Sequence, residues 1–372
     1  AGMSEQTAVA TLRAELPEAH FGPNHVYRIQ PAADAKERVE PAAAARTEAD
    51  GDVQSGCAGQ NCFAERLIGW KSSLKRCAVR VRIGLIDTSF DLTHPAFAGR
   101  KWPVGDFTGA AKPAKSDWHG TAVLSVLAAQ AQSTTPGLVP DADYLLASTF
   151  GADSDGNAAA DAMSVLKALA WLDKGKADIV NMSFSGPRND EIEAAIANMA
   201  AKGVVFVAAA GNRGHNGPAS YPAAYAQVIA VTAVSKDQQS YRHANHGDYV
   251  DVSAPGVAIS TALPNGEQGY RTGTSFAAPF VTGLLAAMPA ARKGALTKAD
   301  VLSRVSFKDL GAPGRDPVYG EGLPVAPERC NEIGGVASLP WTTEAKRMSI
   351  GAPPPPAPTR VVPVSLARPA AQ

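Results

Sequence analysis

Four polar residues stand at the borders of apolar segments, and their types could together perform one reaction. They are Asp87 in RIGLIDTSFDLTHP, His119 in SDWHGTAVLSVL, Asn212 in VAAAGNRG and Ser275 in GTSFAAPFVTG. A serine hydroxyl is a weak nucleophile until a base accepts its proton, and a carboxylate must hold that base in one tautomer. The oxyanion that forms needs donors already in place, and an asparagine amide is one such donor. The four residues therefore indicate acyl transfer.

Each of these residues also has an ordinary structural explanation. Ser275 could cap the apolar helix that follows, since Pro279 is tolerated in a first turn. An aspartate after a strand is usually a turn residue, and an asparagine beside a glycine often adopts a left-handed conformation. The order Asp, His, Ser, with separations of 32 and 156 positions, excludes an α/β-hydrolase. That class needs the order Ser, Asp, His and a G-x-S-x-G turn.

The elements around these residues alternate between apolar runs of strand length and longer stretches with helical spacing. The predicted strands are AVRVRIGLID, DYLLAST, ADIVNMSF, GVVFVAAA, QVIAVTAV and YVDVSAPG, and the predicted helices are HGTAVLSVLAAQAQ, AAADAMSVLKALAWLD, NDEIEAAIANMAAKG and SFAAPFVTGLLAAM. Alternation of this kind predicts an α/β fold of three layers, a mostly parallel central sheet with helices on both faces. Ligands of such folds bind at the carboxyl ends of the strands.

Composition excludes several classes of function. The 372 residues include 35 Lys and Arg and 35 Asp and Glu, so there is no charge excess to favour nucleic acid or an anionic membrane. No apolar run approaches the 18 residues of a membrane span, and no glycine-rich phosphate loop follows a strand. The first residues lack the pattern of a secretory signal, which is expected to be absent or already removed.

The motifs from about residue 78 to 326 resemble those of the subtilisin-like serine proteases, the subtilases. They are LIDTSFDLTHP, HGTAVLSVLA, IVNMSFSG, VAAAGN, YPAAYAQVIAVTAV, APG, GTSFAAPFVTG and YGEGLPVA, in family order. The resemblance implies a serine endopeptidase in which Asp87 orients the base, His119 is the base and acid, and Ser275 is the nucleophile. The side chain of Asn212 and the backbone N–H of Ser275 would bind the oxyanion.

The same resemblance implies a cleft for an extended polypeptide substrate. One edge would be the strand Ser183, Phe184, Ser185 and Gly186, and the opposite edge would lie around Asp155 and Gly156. The pocket for the residue before the cleaved bond would have Ala210 and Gly211 in its wall and Ser220 at its floor. The alternative hypothesis is a catalytically silent subtilase scaffold that binds a partner protein through its tails.

One departure from the family concerns calcium. The aspartate that often follows "HP" by one residue in relatives is Ala96 here, and the loop AQSTTPGLVPDA is too short for the usual calcium-binding insertion. A hard cation needs about six or more oxygen ligands. The family's usual calcium site is therefore expected to be absent, and no cofactor is expected.

Composition also suggests three regions. Residues 1–76 are expected to form an extended, Pro- and Ala-rich arm or the remnant of a prosegment, residues 77–335 the catalytic domain, and residues 336–372 a Pro-rich tail. The arm contains one possible strand, NHVYRIQ.

Four cysteines allow three pairings, of which we prefer Cys57 with Cys62 and Cys77 with Cys330. The second bond would join the start of the first strand to the end of the domain. Disulfides indicate an oxidising compartment, so the expected location is secreted or periplasmic.

Overall fold

A seven-stranded sheet forms the centre of the protein. In this computed structural model, the structure describes residues 23–30, 63–109, 111–131, 133–134, 136–288 and 297–330. The sheet contains β2 (Arg82–Asp87), β3 (Val104–Asp106), β4 (Asp143–Ser148), β7 (Ile179–Met182), β8 (Val205–Ala209), β9 (Val228–Val234) and β10 (Val252–Pro255). Its strand order is β10-β9-β8-β7-β2-β4-β3, and every neighbouring pair is parallel.

Helices cover both faces of this sheet. They are α1 (Phe63–Leu67), α2 (His119–Ala128), α3 (Ala162–Lys174), α4 (Asp190–Ala201), α5 (Thr274–Ala286) and α6 (Lys298–Leu302). Helices α2 and α5 contribute to one apolar core, and α3 and α4 contribute to a second. The prediction of a three-layer α/β fold is therefore confirmed, and its six strands and four helices are all present.

Local sequence signals explain where two of the helices begin. Asp161 caps α3 by accepting a hydrogen bond from the N–H of Ser164. Asn189 caps α4 in the same way through the N–H of Ile192. Such caps satisfy backbone donors that have no partner inside the first turn.

Three smaller sheets surround the central one. They comprise β1 (Val26–Arg28) with β5 (Gly151–Ala152) and β6 (Ala158–Asp161), β11 (Ile259–Leu263) with β12 (Glu267–Arg271), and β13 (Ser306–Lys308) with β14 (Leu323–Val325). The first of them joins the predicted N-terminal arm to the rest of the fold, because β1 pairs antiparallel with β6. No helix in the described ranges is long and apolar enough to cross a bilayer.

The main core begins upstream of residue 77, where the catalytic domain was expected to start. Ile68, Trp70 and Leu74 are buried in the same core as α2. A disulfide joins Cys77 to Cys330, the preferred pairing, with the two Cα atoms 5.0 Å apart. The other expected pair, Cys57 and Cys62, lies outside the described residues, as does the whole segment 336–372.

Candidate active site

Asp87 and His119 form a buried pair at the carboxyl end of strand β2 in the central sheet. Nδ1 of His119 lies 2.7 Å from Oδ1 of Asp87. The same carboxylate oxygen accepts a hydrogen bond of 2.7 Å from the N–H of Thr88. Because the carboxylate can only accept, Nδ1 of the neutral imidazole carries the hydrogen and Nε2 has the free lone pair. This is the tautomer that a general base requires.

The close approach of β2 and α2 depends on a glycine. The N–H of Gly120 donates to Oγ1 of Thr88 at 2.8 Å. A Cβ atom added to Gly120 would lie 2.6 Å from the carbonyl oxygen of Ser89, closer than real contacts allow. Gly120 therefore lets the first turn of α2 approach the end of β2, which places His119 against Asp87.

Ser275 is the second residue of α5, and the residue that caps this helix is Gly273. The capping explanation of Ser275 is therefore wrong. Its Oγ donates to the carbonyl oxygen of Ser183 at 3.1 Å, and Nε2 of His119 has no hydrogen-bond partner among the described residues. The ring of Phe276, next in the chain, lies 5.4 Å from the ring of His119 between centroids. Ser275 and His119 thus share one site without a direct hydrogen bond in this structure.

Asn212 follows β8 and is held against the start of α5. Its Oδ1 accepts hydrogen bonds of 3.0 Å from both the N–H and the hydroxyl of Thr274. This leaves Nδ2 of Asn212 as the side-chain donor. It lies near the backbone of Gly273, because a Cβ atom added to Gly273 would be 3.2 Å from this nitrogen. The amide of Asn212 and the N-terminus of the Ser275 helix therefore stand side by side.

The strand β1 of the protein's own chain lies in the cleft next to these residues. Arg28 exchanges two backbone hydrogen bonds with Ser185, of 2.8 and 3.0 Å. On the other side β1 pairs antiparallel with β6. Farther along, Oε1 of Gln30 accepts a hydrogen bond of 2.6 Å from the backbone N–H of Asn212. The chain from Val26 to Gln30 therefore runs as an inserted strand toward the candidate catalytic residues.

Tyr27 anchors this inserted strand. It is fully buried, and its hydroxyl donates to the carbonyl oxygen of Pro187 at 3.0 Å. Its ring meets Phe184 edge-on, 5.8 Å apart between centroids. A Cβ added to Gly186 would lie 2.4 Å from the Tyr27 ring, so this pocket requires the glycine. Burial raises the pKa of the Tyr27 phenol well above its usual range.

Asp155 and Gly156, which were expected at the other edge of the cleft, lie a few residues before the backbone that pairs with β1. Those two residues lie in a turn, where Oδ1 of Asp153 accepts the N–H of Asp155 and Gly156 has a φ of +77°. The backbone that pairs with β1 is β6, Ala158–Asp161. The turn therefore leads directly into the strand that pairs with β1, and the substrate edge stays a prediction.

The three residues expected to form the specificity pocket lie close together. Gly211 has a φ of +108°, and a Cβ built on it would lie 2.8 Å from Oγ of Ser220. The carbonyl oxygen of Ala210, one residue earlier, accepts a hydrogen bond of 2.7 Å from the hydroxyl of Tyr249. Ser220 itself is 4% exposed.

The absence of the family's usual calcium site stays a prediction. Ala96 has no side-chain oxygen, and its N–H donates to Nδ1 of His94 at 3.0 Å. In the described part of the chain, no three His, Cys, Asp or Glu side chains cluster closely enough to hold a metal ion.

Three further residues of the site were not singled out from the sequence. Trp118 stacks on Phe276 with centroids 6.4 Å apart and planes 11° from parallel, and the Cζ of Arg271 lies 4.3 Å from the Trp118 ring centroid. The position of Trp118 directly before His119 is the sequence feature that could have indicated its place in the site. The position of Arg271 depends on the β11–β12 hairpin and has no local signature.

Comparison with known proteins assigns the chain to a family. The subtilase family model matches residues 79–321. The major intracellular serine protease of Bacillus subtilis (strain 168) is 33% identical over 228 residues, which cover 58% of this chain and 70% of that protein. Subtilisin E of the same organism is 31% identical over 250 residues, covering 65% of this chain and 64% of that protein.

A solved structure supports the fold. The prenylagaramide maturation protease PagA matches with a TM-score of 0.54 and 24% identity, covering 66% of this chain and 90% of that one. The fold and the matches together define a subtilisin-like serine protease, a hydrolase that acts on peptide bonds. The chain belongs to the subtilase family.

Proposed function

We propose that this protein is an endopeptidase that works through Asp87, His119 and Ser275 and an acyl-enzyme intermediate. The observation that carries the proposal is the buried hydrogen bond of 2.7 Å between Asp87 and His119, beside the helix start that bears Ser275. His119 takes the Ser275 proton as Oγ attacks the substrate carbonyl and returns a proton to the departing amine. Asp87 stabilises the imidazolium that forms between these two steps.

The oxyanion hole in this proposal consists of Nδ2 of Asn212 and the backbone N–H of Ser275. Oδ1 of Asn212 is occupied by two hydrogen bonds from Thr274, and this fixes the amide so that Nδ2 remains available. The N–H of Ser275 lies in the first turn of α5, where N–H groups have no helical partner and the helix dipole favours negative charge. Both donors are in place before the charge develops.

The substrate would be an extended polypeptide that adds as a strand between Ser185 and β6. Strand β1 supports this geometry because it makes the same main-chain hydrogen bonds that a substrate would make. We further propose that the reaction needs no cofactor, that the protein is exported, and that its terminal segments are available to partner proteins. One relative named as extracellular supports export, although another relative is named as intracellular.

A serine-reactive fluorophosphonate probe tests the function. We expect the folded protein to be labelled and to hydrolyse a peptide library, and Ser275→Ala to lose both properties. Ser154→Ala, which removes an exposed hydroxyl, is the matched control and should retain both. A folded wild-type protein that shows neither labelling nor hydrolysis would instead support the silent scaffold.

A further inference from the structure

Arg271 covers an aromatic cluster next to His119. Its Cζ lies 4.3 Å from the centroid of the Trp118 ring. Trp118 contacts the His119 ring at 5.7 Å and stacks on Phe276 at 6.4 Å, both between centroids. Stacking on an indole holds a guanidinium by its face and leaves the N–H groups at its edge free for other partners.

This guanidinium has no counter-charge among the described residues. Its Nη1 donates to the carbonyl oxygen of Tyr270 at 2.8 Å, while its Nε is buried without an acceptor among the described residues. Within those residues no acidic side chain forms an ion pair with it, and burial lowers its pKa without any carboxylate to oppose the effect. A partly buried cation with an unsatisfied donor is stabilised when a carboxylate binds to it.

The proposed mechanism puts Arg271 on the leaving-group side of the cleaved bond. In that mechanism the acyl side is the groove between Ser185 and β6, and the chain that follows β1 reaches Asn212 through Gln30. A substrate that continues in the same direction passes His119, which must protonate the departing amine. The side chains packed against the ring of His119 there are Trp118 and Phe276, and Arg271 lies on the first of them.

We infer that Arg271 selects substrates with an aspartate or glutamate in the first two residues after the cleaved bond. The side-chain carboxylate would accept a charge-assisted hydrogen bond from Nη2, the terminal guanidinium nitrogen that does not donate to Tyr270. The inference rests on the proposed endopeptidase function. It adds a preference on the leaving side that the candidate catalytic residues do not determine.

Matched peptides test this specificity in the full-length chain. All share one acyl side and a C-terminal amide, and they carry Glu, Gln or Lys at the first or the second position after the cut. We expect kcat/KM to be about five- to tenfold higher for the better Glu peptide than for its Gln counterpart, with Lys lowest. Because the acyl side is constant, displacement of β1 cancels in these ratios. A further peptide ends two residues after the cut in a free α-carboxylate. Comparison of its kcat/KM with that of the amidated Glu peptides shows whether Arg271 prefers a terminal carboxylate to a side-chain carboxylate.

Variants of Arg271 separate this role from a structural one. Arg271→Gln should abolish the preference for Glu over Gln, and Arg271→Glu should favour the Lys peptide. Lys167→Gln, which removes an exposed charge from α3, should keep the wild-type ratios. Equal kcat/KM for Glu and Gln peptides in the wild type, or a preference that persists in Arg271→Gln, would overturn the inference.

Binding provides a second readout that does not need turnover. Fluorescent peptides that span the cut should bind the Ser275→Ala variant more tightly with Glu than with Gln, and the added change Arg271→Gln should remove that difference. Equal dissociation constants for the two peptides would contradict the inference. Failure of the proposed function has different signatures, which are hydrolysis of every peptide by Ser275→Ala at the wild-type rate, or no hydrolysis of any peptide by the folded wild type.

Discussion

Nδ1 of His119 and Oδ1 of Asp87 lie 2.7 Å apart, and the two side chains are only 3% and 1% exposed. A carboxylate buried in this way keeps its attraction for a neighbouring positive charge, because little water is present to screen it. In the proposed mechanism this attraction would stabilise the imidazolium that forms when His119 accepts a proton. The pair also fixes the ring orientation before any substrate arrives.

Asp87→Asn should lower kcat by about a thousandfold or more while the protein remains folded. An asparagine oxygen can still accept from Nδ1 of His119 and from the N–H of Thr88, but the negative charge is lost. Steady-state kinetics on a library-selected peptide measures the effect, with near-ultraviolet circular dichroism to verify the fold. Asp143→Asn, an exposed change on the neighbouring strand β4, should behave as wild type. A small loss in Asp87→Asn would remove Asp87 from the mechanism.

Asn212→Ala should lower kcat by about a hundredfold or more and leave KM nearly unchanged. That range is known for the equivalent donor of a related subtilisin. The reason is that Nδ2 would bond to the oxyanion more strongly than to the ground-state carbonyl oxygen. Separate determination of kcat and KM checks this prediction. A rise in KM at constant kcat would show instead that Asn212 serves substrate binding alone.

Ser220→Gly should widen the acceptance of large aromatic residues before the cleaved bond. Ser220 is buried against Gly211, so its side chain takes volume from the expected pocket. Overpacking costs about 1 to 3 kcal/mol, and the ratio of kcat/KM for Phe to that for Ala should therefore rise about tenfold or more. A peptide library with that position randomised gives the ratio. An unchanged profile would mean that Ser220 is not at the floor of the pocket.

The sequence predicted the elements whose signals are local. Near-continuous apolar runs such as Val228–Val234 are typical of strands buried on both faces, and each predicted run became a strand of the central sheet. Parallel strands bring their carboxyl ends to one edge, which is why Asp87 and Asn212, 125 positions apart, could be expected at one site.

Features that depend on distant contacts were not predictable in this way. Tyr27 is buried in a pocket to which Gly186 and Pro187, some 160 positions away, contribute. Trp70 and Leu74 lie in a segment whose composition suggested an extended arm, yet they join the main core. Likewise, no sequence periodicity or motif indicates that Arg271 stacks on Trp118. The hydrogen bond from Ser275 to Ser183 depends on the side-chain rotamer of Ser275, which the sequence pattern does not determine.

Glu65→Gln should flatten the pH dependence of stability between about pH 5 and 8. Burial raises the pKa of Glu65 from 4.5 to about 7, although Lys75 lies 3.6 Å away and partly opposes the shift. The folded protein therefore takes up a proton that the unfolded chain does not bind until lower pH. This stabilising contribution is fully present below about pH 4.5 and is lost as the pH rises through 7.

Urea unfolding at pH 5, 6, 7 and 8 measures this contribution. Because Lys75 also loses its counter-charge in Glu65→Gln, the informative quantity is the slope of the unfolding free energy against pH rather than its value at one pH. Glu321→Gln, at a side chain that is 41% exposed, is the control and should keep the wild-type slope. Identical slopes in wild type and Glu65→Gln would show that Glu65 does not titrate in this window.

Tyr27→Ala should raise the rate at which the protein hydrolyses added peptides. Strand β1 occupies the groove that a substrate would fill, and Tyr27 is its most buried side chain, at 0% exposure. Truncation of a buried aromatic residue costs about 3 to 5 kcal/mol in a well-packed site, so the groove should be vacated far more often. We expect kcat/KM to increase about tenfold or more, whereas Val26→Ala, at a neighbouring residue that is 47% exposed, should have little effect. Equal peptidase activity in wild type, Val26→Ala and Tyr27→Ala would mean that β1 leaves the cleft too readily to compete with substrate.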